Sequence, residues 1–504
     1  MKPEARSQTA FSITQSKAKM YEYNVPLEEH ITLRGNPAQL FPLTIGILGD
    51  LSARINDGNA TYEEIQDLRN NLPFSARFFD AYIEAQLSQA DEMYVRLLGS
   101  AAYYLCDLPG SSNILAERMN NQTLNLGIFG LENLLTWLLL TRYFPTALTE
   151  LPEGSYQNVL IRIYDEYLKF NSSGDLAGNV IDSANQLRAI AYSVGDPKEL
   201  LLADLIGAVI RKRIENSTWI CLSKYTDLPI LDWANIIKKD TFIKEFWPAQ
   251  HLLGKKGVFR GKSAVVQMPT SAGKTKATEI IIRSAFLAKR ISLAVIIAPF
   301  RALCHEIRQD LLQAFQGDAI YVDELSDVVQ NDYSIERILR DQVVLVATPE
   351  KFNYVLRHSP EIAEKIRLII YDEAHQFDNG NRGITYELLL TSLKARISAE
   401  AQTVLISAVI SNASQIGAWL AGNDMEVVEG AELIPSFKST GFTTIADPGR
   451  NLYFVDRGNI DKREYYVPRI FHEYKLKHGM LFPHLNNGRE LTLFLGVRLA
   501  IQGS

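Results

Sequence analysis

Two short stretches hold residues whose types and spacing suit phosphate chemistry. The first is Pro269-Thr270-Ser271-Ala272-Gly273-Lys274-Thr275, between the apolar run Ala264-Val265-Val266 and a helical pattern over 276–288. Strand, small-residue loop and helix is the arrangement in which backbone N–H groups and the positive end of a helix dipole converge on one anion. Lys274 would reach terminal phosphates and the Thr275 hydroxyl would ligate Mg²⁺. The strict phosphate-loop spacing is broken by Met268, which stands where a first glycine belongs. The plainer alternative is a strand-to-helix turn with a capping threonine and a solvated lysine.

The second stretch is Asp372-Glu373-Ala374-His375, delivered by the run Leu368-Ile369-Ile370-Tyr371. An aspartate at a strand end can hold Mg²⁺, a hard cation that prefers oxygen. The adjacent glutamate can activate water for attack on a γ-phosphate. An Asp-Glu pair alone could equally cap a strand. About a hundred residues after Gly-Lys-Thr, on a strand of its own, it makes nucleotide hydrolysis the favoured reading.

These residues need a scaffold, and the pattern from 236 to 430 supplies one. Apolar strands are expected at Leu293–Ala298, Val343–Ala347, Arg367–Tyr371 and Thr403–Ile406, alternating with helices. That alternation predicts an α/β fold with a parallel sheet, whose carboxyl edge is where such sheets bind ligands. Residues 1–235 read as an all-helical N-terminal domain. Within it, 1–35 shows little periodicity and is expected to be a loose arm. Thr61-Tyr62-Glu63-Glu64 is a capping box opening a helix expected to stop at Pro73. The aromatic run Phe78, Phe79, Tyr82, Tyr94, Tyr103 and Tyr104 has a single basic residue within it, Arg96, so it reads as core rather than a base-stacking surface. The default role of this domain is a docking platform for a partner protein. Residues 431–504 read as a linker, a strand at 451–456 and a helix at 490–502.

Composition sets the outer limits. The chain has 504 residues, 47% hydrophobic and 22% charged, which describes a globular protein of about three domains. Its formal charge of −6 does not advertise nucleic-acid binding, although a whole-chain sum leaves room for a local basic groove. Three scattered cysteines, Cys106, Cys221 and Cys304, lack metal-ligand spacing and fit reduced thiols of a cytoplasmic protein. The most apolar stretch, 131–144, is too short and too polar to span a bilayer, so no membrane role is expected.

Taken together, residues 236–430 resemble the first RecA-like lobe of superfamily-two DExH-box helicases, in particular the Ski-like branch. PTSAGKT at 269–275 resembles motif I (the P-loop), and the DEAH box at 372–375 resembles motif II. Ala298-Pro299-Phe300-Arg301-Ala302-Leu303 is similar to motif Ia, and Ala347-Thr348-Pro349-Glu350-Lys351-Phe352 to the Thr-Pro-Glu-Lys segment. Arg382-Gly383 with Glu387 is similar to the Arg-Gly-x-x-x-Glu that trails motif II in that branch. Ile406-Ser407-Ala408-Val409, with Trp419-Leu420 beyond it, resembles motif III and its helix. Phe246-Trp247-Pro248-Ala249-Gln250 resembles the Pro-x-Gln element that reads adenine.

The resemblance implies an ATP-dependent helicase or translocase using Mg²⁺. Gln250 and residues 269–275 would bind nucleotide. Thr275 and Asp372 would hold the metal, Glu373 would activate water and His375 would relay nucleotide state. It implies that Arg301 and Thr348 face the backbone of single-stranded DNA or RNA. It also implies that 431–504 begins a second RecA-like lobe, and that the chain stops before motifs IV, V and VI, so that this portion hydrolyses weakly alone. Val409 replaces a threonine that helps couple hydrolysis to movement. The rival reading is an ATP-gated, nucleic-acid-binding scaffold that regulates an effector such as a nuclease, as in antiviral defence.

Overall fold

The computed structural model describes residues 3–33, 35–87, 92–119, 124, 126–140, 154–269, 272–325, 342–374, 380–408, 413–421, 425–430, 433–442, 451–456 and 459–468. The chain divides into two compact units: one of residues 1–167, 176–212 and 436–504, the other of 168–175 and 213–435.

The first unit is mostly helical. Its opening segment is not a loose arm but the helix Ala5–Glu22, which buries Phe11 and Met20. The periodicity is weak because this helix is held on two sides. Phe11 meets Phe74 edge-on at 5.0 Å, while Ser12 and Ser16 donate to the carbonyls of Glu464 and Tyr466. The Thr61–Glu64 capping box forms, but the helix it opens runs through Pro73 to Glu84. A proline inside a helix costs about 3 kcal/mol, and burying the aromatic side chains beyond it offsets that, at roughly 1.5–3 kcal/mol each. Phe78, Phe79, Tyr82, Tyr103 and Tyr104 are buried as core, whereas Tyr94 is half-buried with the Lys198 ammonium 5.1 Å from its ring centroid. Strands β8 (Thr440–Phe442), β9 (Leu452–Asp456) and β10 (Asn459–Val467) form an antiparallel sheet in this unit. The helix expected at 490–502 lies outside the described residues.

The second unit is built on seven strands: β1 (Ala264–Gln267), β2 (Leu293–Ile297), β3 (Ile320–Glu324), β4 (Gln342–Ala347), β5 (Ile366–Asp372), β6 (Gln402–Ser407) and β7 (Glu426–Glu429). Their order is β3-β4-β2-β5-β6-β1-β7, and every neighbouring pair is parallel. Alternate residues of the central strands feed two separate cores. Ala264, Ile296, Ile370 and Ile406 face one, and Val265, Val295, Ile369 and Leu405 face the other. Both faces are therefore covered, which is why these strands read as unbroken apolar runs. The two strands without such runs, β3 and β7, are the sheet edges and are only partly buried. The helices Thr218–Thr226 and Ile230–Ile237 also belong to this unit, where Trp219 and Trp233 join the first of its cores.

Candidate functional site

The carboxyl edge of the sheet gathers the sequence candidates in strand order. Thr348 follows β4, Arg301 follows β2, Asp372 and Glu373 close β5, and the loop from Pro269 follows β1.

The loop is shaped by local chemistry. Met268 continues the ladder by donating its N–H to Ser407 O at 2.9 Å, and its side chain is buried in the core. A methionine fits there because its side chain packs into the core on one face of the sheet. The Ala272 N–H then closes a turn on Pro269 O, and Gly273, at φ +84°, caps the helix Lys274–Leu287. An L side chain at this position would suffer both backbone strain and contact, since an added Cβ would lie 2.6 Å from Gln250 Nε2. Gly273 makes no side-chain cap, and the first-turn N–H groups of a helix have no intrahelical acceptor. They point where an anion is favoured. Thr275 is exposed on that first turn. Thr270 and Ser271 lie outside the described residues.

Gln250 is buried behind the loop. Its Oε1 accepts the Trp247 N–H at 3.0 Å, and its Nε2 donates to the carbonyls of Ala272 and Gly273, both at 3.4 Å. The amide thus ties the start of the helix Pro248–Lys255 to the loop.

Lys274 reaches across β6 to Glu373, with Nζ 3.0 Å from Oε1. Glu373 sits at φ +49°, a left-handed conformation that a non-glycine residue adopts at a cost of about 1–2 kcal/mol. Its N–H donates to Asp372 Oδ1 at 3.0 Å. Burial, with the Glu373 charge beside it, pushes the Asp372 carboxyl up to about 6, although Lys274 pulls the other way. Two adjacent carboxylates thus lie beside the Lys274 ammonium. His375 lies outside the described residues, as does Val409.

Arg301 is exposed at the first turn of the helix Arg301–Ala314, and Thr348 is a buried N-cap of the helix Pro349–His358 that makes no side-chain cap bond. One further residue reaches the edge without having stood out in the sequence. Tyr386, on the helix Gly380–Arg396, sends its hydroxyl to Ile297 O and Asp372 O. Its spacing with Leu389, Leu390 and Leu393 reads only as an apolar helix stripe. Among the described residues no three His, Cys, Asp or Glu side chains form a metal cage. No helix among them is long and apolar enough to cross a membrane.

Comparison with known proteins adds an independent finding. The family model described as DEAD/DEAH box helicase matches residues 248–416. Over 347 residues, 66% of the chain, there is 26% identity to Hachiman protein HamB of Bacillus cereus, covering 31% of that protein. Over 197 residues, 39% of the chain, there is 30% identity to the ATP-dependent DNA helicase Hel308 of Thermococcus kodakarensis, covering 17% of it. The chain therefore spans under a third of the length of either relative. Among solved structures, the DNA- and AMPPNP-bound DUF1998 helicase MrfA aligns at a TM-score of 0.32 and 17% identity, over 42% of this chain and 29% of its own. Mycobacterium smegmatis helicase Lhr aligns at 0.28 and 22% identity, over 36% and 25%.

Proposed function

We propose, from the premise that residues 248–416 are a DEAD/DEAH box helicase domain, that the chain is the ATP-binding part of a helicase or translocase acting on single-stranded nucleic acid. The observation that carries the reading is the contact of Lys274 with Glu373, 99 residues apart, at the foot of a helix whose first-turn N–H groups lack intrahelical acceptors.

The donor set fits a nucleoside triphosphate with a divalent cation. Lys274 and the first-turn N–H groups suit phosphate oxygens. Two adjacent carboxylates whose mutual repulsion and burial raise Asp372 to about 6 are a place where a cation would be favoured. The Thr275 hydroxyl and Asp372 carboxylate are the oxygen ligands this chain would contribute, few enough for Mg²⁺, which keeps several waters. When bound, ATP with Mg²⁺ supplies the scissile phosphoanhydride and neutralises charge on the transferred phosphoryl group.

Lys274 then exchanges the Glu373 carboxylate for phosphate oxygens. Glu373, released from that ion pair, orients a water and accepts its proton. Gln250 already spends one acceptor and its Nε2 on the protein, and an amide has a second lone pair to offer the adenine edge. Arg301 and Thr348 supply a cation and a hydroxyl to the sugar–phosphate backbone, which holds the strand without reading its sequence. The track is DNA or RNA. The helical unit is a platform for a partner protein, and the location is cytoplasmic, as the free cysteines Cys106, Cys221 and Cys304 support. His375 is assigned its relay role from the resemblance alone.

The test is phosphate release by the full protein, with and without single-stranded DNA or RNA, alongside Glu373→Gln. Strand-stimulated hydrolysis that the substitution abolishes supports a motor. Nucleotide binding without turnover would sink it and leave the ATP-gated scaffold.

A further inference from the structure

Strands β2 and β5 are neighbours, and their pairing runs to Ile297 opposite Tyr371. Past that point β2 ends, while β5 continues to Asp372. β2 leads through Ala298, Pro299 and Phe300 to Arg301, and β5 leads to Asp372 and Glu373. A carbonyl has two lone pairs, so a buried one at a strand end can accept from a side chain as well as from the ladder. Here a side chain adds that donor. The Tyr386 hydroxyl lies 3.3 Å from Ile297 O and 3.4 Å from Asp372 O.

The phenol is well fixed. Tyr386 is 2% exposed, within the core that also holds Ile297, Tyr371, Ala374 and Leu389. Its ring stands edge-on to Tyr371, 6.1 Å between centroids. A hydroxyl has one proton. With two carbonyls in reach, the donor can favour one strand end or the other, and a shift of either end changes which it favours.

We propose that Tyr386 is a positioning residue that couples the two ends of the site, holding the β2 end that presents Arg301 in register with the β5 end that presents Asp372 and Glu373. Strand contact at Arg301 moves the Ile297 carbonyl, the hydroxyl follows, and the constraint on the Asp372 backbone changes with it. This coupling deepens the motor reading and rests on it.

The experiment compares the full protein with Tyr386→Phe and Tyr371→Phe. Tyr371 lends a matched control, because it removes a fully buried phenol one residue from Asp372 without touching either carbonyl. ATPase kcat and KM are measured at zero and saturating single-stranded nucleic acid, with melting temperatures alongside. In Tyr386→Phe, stimulation by the strand is expected to fall about 5- to 50-fold, a coupling-sized effect, with KM for ATP changed by less than about twofold. Tyr371→Phe is expected to keep full stimulation. Unchanged stimulation in Tyr386→Phe overturns the proposal. So does an equal loss in both variants that tracks their melting temperatures, since that is a packing effect. If the unsubstituted protein shows no strand-stimulated hydrolysis and matches Glu373→Gln, the motor reading fails and the coupling fails with it.

Discussion

Lys274 Nζ and Glu373 Oε1 lie 3.0 Å apart, an ion pair that spans the width of β6 and joins the start of the helix Lys274–Leu287 to the end of β5. The lysine side chain is 10% exposed and the glutamate 22%, so neither charge is simply a solvated surface group. Replacing Lys274 with Ala removes the ammonium from this corner. Hydrolysis is expected to fall by about 10²- to 10³-fold in kcat, the loss seen when one stabilising donor is removed from a transition state. Single-turnover phosphate release checks this, and a loss under about threefold would argue that the lysine never meets phosphate.

Asp372 gives a pH signature in the nucleotide-free protein. Its carboxyl rises from 3.8 to about 6, because burial and Glu373 disfavour the charge. Between those values the folded state binds the proton more tightly than the unfolded state. Its contribution to stability is therefore present at low pH and lost as pH rises through about 6. Asp372→Asn lacks this contribution. Thermal melts without divalent cations should show the natural protein losing ground to the variant from about pH 4 to 6.5, with a flat difference above. A natural protein that gains on the variant over that range contradicts the assignment.

Gly273 and Gln250 form one device, and two substitutions separate its parts. Gly273→Ala puts a Cβ at φ +84° and 2.6 Å from Gln250 Nε2, so KM for ATP is expected to rise about tenfold or more. Gln250→Ala strips a donor from the Ala272 and Gly273 carbonyls and an acceptor from the Trp247 N–H. That should lower stability by about 1–3 kcal/mol and bring the KM values for ATP and GTP together. Denaturant melts and parallel ATP and GTP titrations check both. A retained preference for ATP would remove Gln250 from base recognition.

Arg301 stands exposed at a helix start, and the proposed function gives it a contact with the strand backbone. Arg301→Ala should weaken binding to single strands of unrelated sequence by similar factors and reduce the slope of log affinity against log salt by about 1. Fluorescence anisotropy at several salt concentrations tests this. An unchanged slope would place the backbone contact elsewhere.

Much of the site was legible because its signals are local. Leu368 to Tyr371 is a buried run on a two-sided sheet, and Gly273-Lys274-Thr275 is a turn and helix start, each readable within a few residues. The edge strands β3 and β7 were not legible, since partial burial leaves them mixed sequences such as Ile320-Tyr321-Val322-Asp323-Glu324. The helix Ala5–Glu22 was missed for a related reason, being packed on more than one side and so lacking a single apolar stripe. Trp219 and Trp233 announced burial but not in which unit, because periodicity names a buried face and not its partner.

The sequence by itself determined which groups were available: an ammonium and a hydroxyl after one strand, two carboxylates after another, an amide upstream and an arginine between them. Strand order was left to the tertiary structure. Only the order of neighbours β2-β5-β6-β1 brings Lys274 to Glu373, seats Met268 in the core, turns Gln250 onto the loop and lets Tyr386 reach two strand ends at once. Those contacts join residues as far as 99 positions apart, and their geometry comes from parallel pairing across the sheet, which no window of local pattern contains.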